Sequence, residues 1–474
     1  MRLLLLAVAS LSCAAQTIPL DWVAAMNRIR ADSMRGNVSF LASDLLKGRF
    51  TPSPGLDIAA EFIASQFRRA GLEPGGNDGY FHNSKYGVVL PNSRGLSGRL
   101  KLDDGTYALD AGNAAAFMNH PVDIFNIPLL HVQSDPNGVE GRAVLVNSRD
   151  LAGLMPKIVD AKPALIVVLD PDGQSLQRAS RASRPHREGD PPVFPRANWL
   201  FIRKDIEGDL ANAEISLRAD AAEDRPFTLT NVVAILPGSD PVLKDSYVFV
   251  TAHYDHIGSL PPGEGDRIYN GANDDASGTV SVLELAASLS RLPQRPRRSL
   301  VFMAVAGEER GLLGSRAFLR APSIPLSQIA ADLNLEQLGR TDVDGIAHIA
   351  KMTVTGFGFT DMSEVLVQAG KDAGVEFYRH QKFSDPFFQA SDNYSFAEKG
   401  IPSHTLSNGF MFKDYHGLAD HWDKLDYENM EKLLRGVTLA VLRLADSEQA
   451  PRWNEFNDKT EKFRGTRPDA TIRR

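Results

Sequence analysis

The sequence predicts an α/β protein: a mixed, mostly parallel sheet sandwiched by helices, with a small β-rich domain inserted into it. Three observations carry this reading. From Asn231 onward, short apolar runs alternate with segments of helical spacing, the pattern of a sheet covered by helices. Between about Gly98 and Phe227 the texture changes to short β-like runs broken by Gly, Pro and Asp. The chain has 474 residues, more than one compact core usually organises, so a large domain with an insertion fits its length.

In chain order, Met1-Arg2 leads into a leucine-rich run and then small residues from Ser10 to Ala15, the layout of an export signal. Cleavage after Ala14 or Ala15 would remove the single cysteine, Cys13, so the mature chain would be exported to the periplasm or outside with no thiol and no disulfide. A lipoprotein acylated at Cys13 fits less well, because Ser10-Leu-Ser12 puts Ser where such signals carry Leu. A helix is expected over Asn37–Leu46 and another over Leu56–Ala70, where Ala59, Phe62, Ile63, Phe67 and Ala70 share a face before Gly71. In the insert, Ala143-Val-Leu-Val146 and Ala164-Leu-Ile-Val-Val-Leu169 read as strands, and the basic stretch Arg178–Arg187 reads as a solvated loop. Val232–Leu236, Tyr247–Thr251 and Leu300–Ala306 then read as core strands, and Gly278–Leu292 as a helix. The expected units are a signal at 1–15, a discontinuous main domain at 16–97 and 228–446, an insert at 98–227 and a polar, loosely held tail at 447–474.

A net charge of −7 argues against nucleic acid as a partner. No internal stretch has the length and apolarity of a stable membrane span. The oligomeric state is not encoded in any pattern recognisable here.

Candidate chemistry sits at the ends of the core strands. Glu308 and Glu309 close the run Leu300-Val-Phe-Met-Ala-Val-Ala306, where open α/β sheets place their ligands. A Glu-Glu pair on its own more often opens a helix as solvated charge. His253-Tyr-Asp-His256 follows the strand ending at Thr251, and in His-x-Asp the carboxylate of Asp255 is placed to fix the tautomer of His253. Asn270-Gly-Ala-Asn-Asp-Asp-Ala-Ser-Gly278 suits a tight turn, with Ser277 as a cap, and places Asp274 and Asp275 near His253. Glu336 ends the alternation Asp332-Leu-Asn-Leu-Glu336, and Asp414-Tyr-His-Gly-Leu-Ala-Asp420 sets Tyr415 beside His416. Taken together, His253, Asp274, Glu309, Glu336 and His416 are nitrogen and oxygen ligands without a thiolate. That set suits zinc and suffices for two ions sharing one carboxylate.

These motifs, in this order, resemble family 28 of the metallopeptidases, the co-catalytic di-zinc exopeptidases. Phe40-Leu-Ala-Ser-Asp-Leu-Leu-Lys-Gly-Arg49 and the helix ending Ala-Gly-Leu72 are similar to the family's opening, and Val139-Glu-Gly-Arg-Ala-Val-Leu-Val146 resembles a phrase of protease-associated domains. The resemblance implies the zinc-exopeptidase fold, two Zn2+ per chain, a peptide substrate and hydrolysis of terminal peptide bonds, with an aminopeptidase favoured over a carboxypeptidase. It implies that His253 binds one zinc with Asp255 behind it, and that Asp274 bridges the ions. Glu309 and His416 would bind the other zinc, Glu308 would be the general base and Tyr415 the oxyanion donor. Asp392, in Ser391-Asp-Asn-Tyr394, would lie near the site. The chain departs from the family at Glu336, where Asp is usual, which makes Asp332 a fallback ligand. Two other readings share the fold: a one-zinc acyl transferase of the glutaminyl cyclase kind, against which His253, Tyr415 and the insert argue, and a receptor-like binding protein, which would be expected to lack ligands that this chain retains.

Overall fold

The computed structural model describes residues 18–103, 105–205, 210–343 and 346–465. The expected signal at 1–15, with Cys13, and the last nine residues of the tail lie outside them. Among the described residues no helix is long and apolar enough to cross a membrane.

A ten-stranded mixed sheet organises the main unit. Its centre is three parallel strands, Ile329–Leu335, Tyr247–His253 and Ser299–Val305, in that spatial order. Every residue of Ser299–Val305 and Ile329–Leu335 is buried, as expected for strands covered on both faces. Ser403–Ser407 extends the parallel set on one side, while Glu223–Leu236 and Phe81–Leu90 add antiparallel strands on the other. On one face pack Ala31–Leu41, Pro54–Arg69, Ser277–Leu289 and Tyr427–Asp446. Leu313–Arg320 and Asn393–Ala397 cover the other, through Phe318, Leu319 and Phe396. The helix Pro54–Arg69 starts where its chemistry dictates: Ser53 accepts from the Leu56 N–H and Pro54 occupies the first turn. Ser277–Leu289 lacks a polar stripe and is buried nearly all round. Its hydroxyls all donate to backbone carbonyls; Thr279 donates to that of His253 at 2.6 Å, fastening the helix to the end of the central strand.

The insertion forms its own eight-stranded sheet between Ser97 and Ala219, with two apolar cores and the helices Ser148–Asp160 and Gln174–Ala182. Its limits differ from the expected 98–227. Residues 223–227 pair with Phe81–Leu90 as the first part of one continuous strand, Glu223–Leu236, so they belong to the main sheet. The expected loose tail is also corrected as far as residue 465. Trp453 donates to the Gly400 carbonyl at 2.9 Å, and Trp453 and Phe463 complete a cluster with Phe359, Phe388 and Ala397. Two buried aromatics are enough to anchor an otherwise exposed segment, in which Phe456 faces solvent.

One buried cation ties the N-terminal segment to the functional end of the sheet. Arg49 is fully buried and donates to the carbonyls of Tyr254 (2.8 Å), Asn270 (2.7 Å), Gly271 (2.9 Å) and Leu41. Neighbouring backbone bonds run from His256 N–H to the Arg49 carbonyl and from Gly258 N–H to that of Gly48. Gly48 has φ +67°, and a Cβ there would lie 2.2 Å from the Gly258 oxygen, so glycine is required. Burial pulls the Arg49 pKa down, partly offset by Asp255 and Asp420, to about 10, which leaves it charged at neutral pH. Arg49→Met would strand four buried carbonyls at about 1–3 kcal/mol each, so an unfolding free energy lower by at least about 3 kcal/mol is expected in urea titration. Arg49→Lys should recover only part of it, because an ammonium cannot serve a planar fan of acceptors. A midpoint unchanged in Arg49→Met would show that the clamp is dispensable.

Candidate metal centre

The functional residues collect at the carboxyl edge of the parallel strands because the strands are in register. His253 is level with Val305 on one side, and Thr251 pairs with Asn334 on the other, so His253, the Glu308–Glu309 turn and Glu336 emerge together. Asp274 comes from the turn before Ser277–Leu289; the Asp274–Asp275 peptide is cis. The buried carboxylate of Asp420 accepts from the N–H groups of Asn273 (3.0 Å) and Asp274 (3.1 Å), and Asp275 accepts from Gly278 and Gln337.

Two ligand sets share Asp274. In one, Asp274 Oδ1 faces His253 Nε2 at 3.3 Å, and Glu336 joins them. In the other, Asp274 Oδ2 lies 3.0 Å from His416 Nε2, and Glu309 Oε1 lies 3.0 Å from both His416 Nε2 and His256 Nδ1. An ion with zinc-like bonds of about 2.0–2.1 Å spaces tetrahedral ligand atoms about 3.3 Å apart, close to these separations. The donors fit such ions on independent grounds. His253 Nε2, both ring nitrogens of His256, Asp274 Oδ2 and Glu309 Oε1 are buried and make no hydrogen bond. Buried polar atoms left in this way are costly unless something else satisfies them.

The protonation pattern follows from crowding. Burial alone would raise Asp274 and Glu309. The facing imidazoles of His253 and His416 instead pull Asp274 well below the usual carboxylate range, and those of His256 and His416 bring Glu309 to about 2. Burial lowers His416, but the facing carboxylates of Asp274 and Glu309 outweigh it and lift its pKa to about 9. Glu308 moves the other way: burial raises it well above the ordinary value, and Glu309, Glu336 and Asp392 add to the rise against the pull of His253. Burial likewise raises the Tyr415 phenol, whose ring stacks on His416 with centroids 4.0 Å apart.

The structure thus gathers His253, Asp274, Glu308, Glu309, Glu336, His416 and Tyr415 at one place. The extra methylene of Glu336 brings its carboxylate to the His253 set, and Asp332 is not needed: it accepts from Thr251 inside the sheet. Asp255 stands behind His253 with two acceptors. Its carboxylate lies 3.7 Å from His253 Nδ1, and the closer partner of that nitrogen is the Asp255 carbonyl, at 3.2 Å. The carboxylate instead accepts from the Thr51 hydroxyl (3.1 Å) and the Glu308 N–H (3.0 Å), so it orients the Glu308 turn. Asp392 accepts from Ser315 at 2.5 Å, and burial lifts its pKa to about 7. Ser277 does not cap its helix but donates to the Asn273 carbonyl. Three contributors were missed. His256 stood in the phrase His253-Tyr-Asp-His256, and the fully buried Asp420 closed another phrase; neither had been given a role. Arg181 lay in the stretch expected to be a solvated loop, yet it sits on the helix Gln174–Ala182 and reaches Glu309 Oε2 (3.5 Å) and His416 Nδ1 (3.3 Å). No local pattern signals a contact across 128 residues of chain.

Residues 231–441 match the model of Peptidase family M28. Aminopeptidase YwaD of Bacillus subtilis (strain 168) is 24% identical over 336 residues, 69% of this chain and 68% of that protein. A probable zinc metalloprotease of Pyrenophora teres f. teres is 39% identical over 120 residues, which is 25% of this chain. The aligned part is 24% of that relative's length, so the chain spans about a quarter of the first such proteins it matches. Among solved structures, BSAP, a zinc aminopeptidase from Bacillus subtilis, superposes with a TM-score of 0.61 at 20% identity, covering 89% of this chain and 97% of that one. The aminopeptidase from Aneurinibacillus sp. strain AM-1 gives 0.55 at 16% identity, covering 92% and 97%. At these identities the likeness is one of fold.

His256→Ala removes one of four donors, and zinc affinity measured against a competing chelator should fall by at least about tenfold. Unchanged affinity would exclude His256 as a ligand. A proton must leave His416 before it can bind a cation below pH 9, so zinc affinity should climb by about tenfold per pH unit toward about 9 and flatten above it. In the zinc-free chain the same group stabilises the fold below about 6.5, and that contribution is lost as pH rises through about 9. Calorimetry across this range, in buffers of different ionisation enthalpy, reads both effects.

Proposed function

We propose that the protein is a zinc-dependent exopeptidase, an aminopeptidase, that holds two ions and cleaves the terminal bond of a peptide, a reading supported by the match of residues 231–441 to the model of Peptidase family M28. The observation that carries this reading is Asp274, whose two oxygens face different histidines, His253 and His416. One carboxylate offered in two directions is what a pair of ions about 3.5–4 Å apart needs. His253, Asp274 and Glu336 would hold one ion; Asp274, Glu309, His416 and His256 the other. Zinc held there supplies Lewis-acid polarisation of the scissile carbonyl and acidifies water. The names of the relatives, aminopeptidase YwaD and BSAP, support the aminopeptidase direction.

The chain's own groups supply the rest. Glu308 takes a proton from the attacking water as the new C–O bond forms, and returns it to the amine nitrogen as the C–N bond breaks. A carboxyl raised by burial suits a group that must both accept and donate at neutral pH. The Glu308 N–H bond to Asp255 fixes where that carboxyl begins. Tyr415, kept protonated by its raised pKa and immobilised by stacking on His416, donates to the oxygen on which charge develops.

Glu308→Gln should retain zinc yet lose about 10²–10⁴-fold in turnover on aminoacyl substrates. Chelation should abolish activity of the wild type and added zinc should restore it. Turnover near wild type in Glu308→Gln, with metal content confirmed by elemental analysis, would remove Glu308 from the mechanism.

A further inference from the structure

Nothing holds Tyr415 by its polar end. Among the described residues its hydroxyl has no hydrogen-bond partner. Its ring stacks on His416 with centroids 4.0 Å apart and meets that of Phe412 edge-on at 6.0 Å. The position of the phenol is therefore set by the turn that carries it. That turn is tight: the Gly417 N–H donates to the Asp414 carbonyl at 2.8 Å, the Tyr415 N–H to that of Phe412 at 3.0 Å, and His416 sits at φ +52°. A turn of this kind fixes its central side chains relative to each other, but not relative to the rest of the site.

Arg340 grips both flanks of the turn. Its Nη1 donates to Asp414 Oδ2 at 2.7 Å, and its guanidinium lies over the Phe412 ring, 5.2 Å from the centroid. Its other donors, Nε at 2.7 Å and Nη2 at 2.6 Å, reach the two oxygens of Asp342 and lock the fork in one orientation. The side chains of Arg340 and Asp414 are only 7% and 13% exposed, so solvent screens their pairing little.

The base of Arg340 is fixed in turn by the segment that presents Asp274. Three successive N–H groups just before it donate to side chains there: Gln337 to Asp275 (3.0 Å), Leu338 to Ser277 (2.9 Å) and Gly339 to Asn273 (2.7 Å). One bonded path thus runs from the Asp274 turn, through Arg340, to the chain on both sides of Tyr415. His416 has contacts of its own, facing Asp274 and Glu309 at 3.0 Å; Tyr415 has none of that kind.

We infer that Arg340 is a positioning residue for Tyr415: by holding Asp414 and Phe412 it sets the phenol where it meets the developing oxyanion. The inference deepens the exopeptidase reading above and rests on it for what Tyr415 does. An oxyanion donor must come within about 2.7–3.1 Å of the charged oxygen, and a misplacement of about 1 Å can cost about 10²-fold in rate.

In Arg340→Gln, with zinc content equal to wild type, kcat on aminoacyl substrates should fall by about 10–100-fold while KM stays within about twofold, because the phenol acts on the transition state. Arg340→Lys should recover part of the loss, since an ammonium can keep Asp414 but not the fork to Asp342. In a Tyr415→Phe background, Arg340→Gln should cost less than about twofold more. A loss there as large as in the wild type would overturn the inference, because general loosening of the site acts without the phenol. A second readout needs neither metal nor turnover. With the tyrosines replaced by fluorotyrosine, the fluorine NMR line missing from Tyr415→Phe identifies Tyr415. In the zinc-free wild type it should be one narrow line, and in Arg340→Gln it should shift or split; an unmoved line would overturn the inference. Should Arg340→Gln not fold, Asp414→Asn, which leaves the guanidinium on Asp342, is read with the same expectations. If the wild type cleaves no peptide and the line still moves in Arg340→Gln, the exopeptidase reading falls while Arg340 stands as the group that places Tyr415.

Discussion

Too many carboxyl groups share too little water at the end of this sheet, and that electrostatic constraint governs the rest of the molecule. Asp274, Asp275, Glu308, Glu309, Glu336 and Asp392 act on one another in a region from which solvent is largely excluded. Each would lose hydration without recompense unless it finds a proton, a hydrogen bond or a cation. The chain sorts them among these. Asp275 is bound by backbone N–H groups, Glu308 and Asp392 are pushed toward the protonated form, and Asp274 and Glu309 are kept ionised by imidazoles. In that ionised pair, Asp274 Oδ2 and Glu309 Oε1 face imidazole nitrogens and make no hydrogen bond. Divalent cations complete that arrangement better than protons on the histidines do.

A site of this kind needs its backbone held as firmly as its side chains, since ligand bonds tolerate only a few tenths of an ångström. The holding is done by charged groups bonded to main chain. Arg49 gathers carbonyls from the loops that carry His256 and Asp274; Asp420 gathers the N–H groups of Asn273 and Asp274; Asp255 takes that of Glu308. Opposite charges thus grip opposite ends of peptide dipoles around one turn. Because these bonds are buried, each is strengthened by the low dielectric that makes the carboxylates difficult to place.

The sequence made the core legible where pattern is local. The run at 300–306 is a wholly buried strand, and the ligand motifs fall at strand ends, as the apolar periodicity implied. Glu336 was the residue most open to doubt, because a longer side chain changes reach, and only backbone placement shows that its carboxylate still meets His253. Asp255 shows a related limit: His-x-Asp spacing puts two acceptors, its carbonyl and its carboxylate, near the ring, and which is closer depends on the turn. His256 and Asp420 were visible in quoted phrases, but an i+3 spacing after a strand does not say on which side the ring emerges. The insertion's boundary at 97–219 rather than 98–227 reflects strand continuity, which composition does not record.

What no local pattern encodes is that the insertion belongs to the site. A solvated basic stretch and a docked helix have the same composition here; the difference is made by Gln177 and Ser183, whose partners lie in the main unit. Those partners are adjacent to ligands, Ile257 to His256 and Arg310 to Glu309. A helix fastened at such points cannot shift without moving the metal centre, and it cannot be removed without leaving the Arg310 guanidinium, now bonded to Ser183 and Thr51 and stacked over Phe50, with a buried donor unpaired. In the proposed mechanism the main unit supplies the ligands and the proton carrier, while the insertion contributes a cation, Arg181, beside Glu309 and His416.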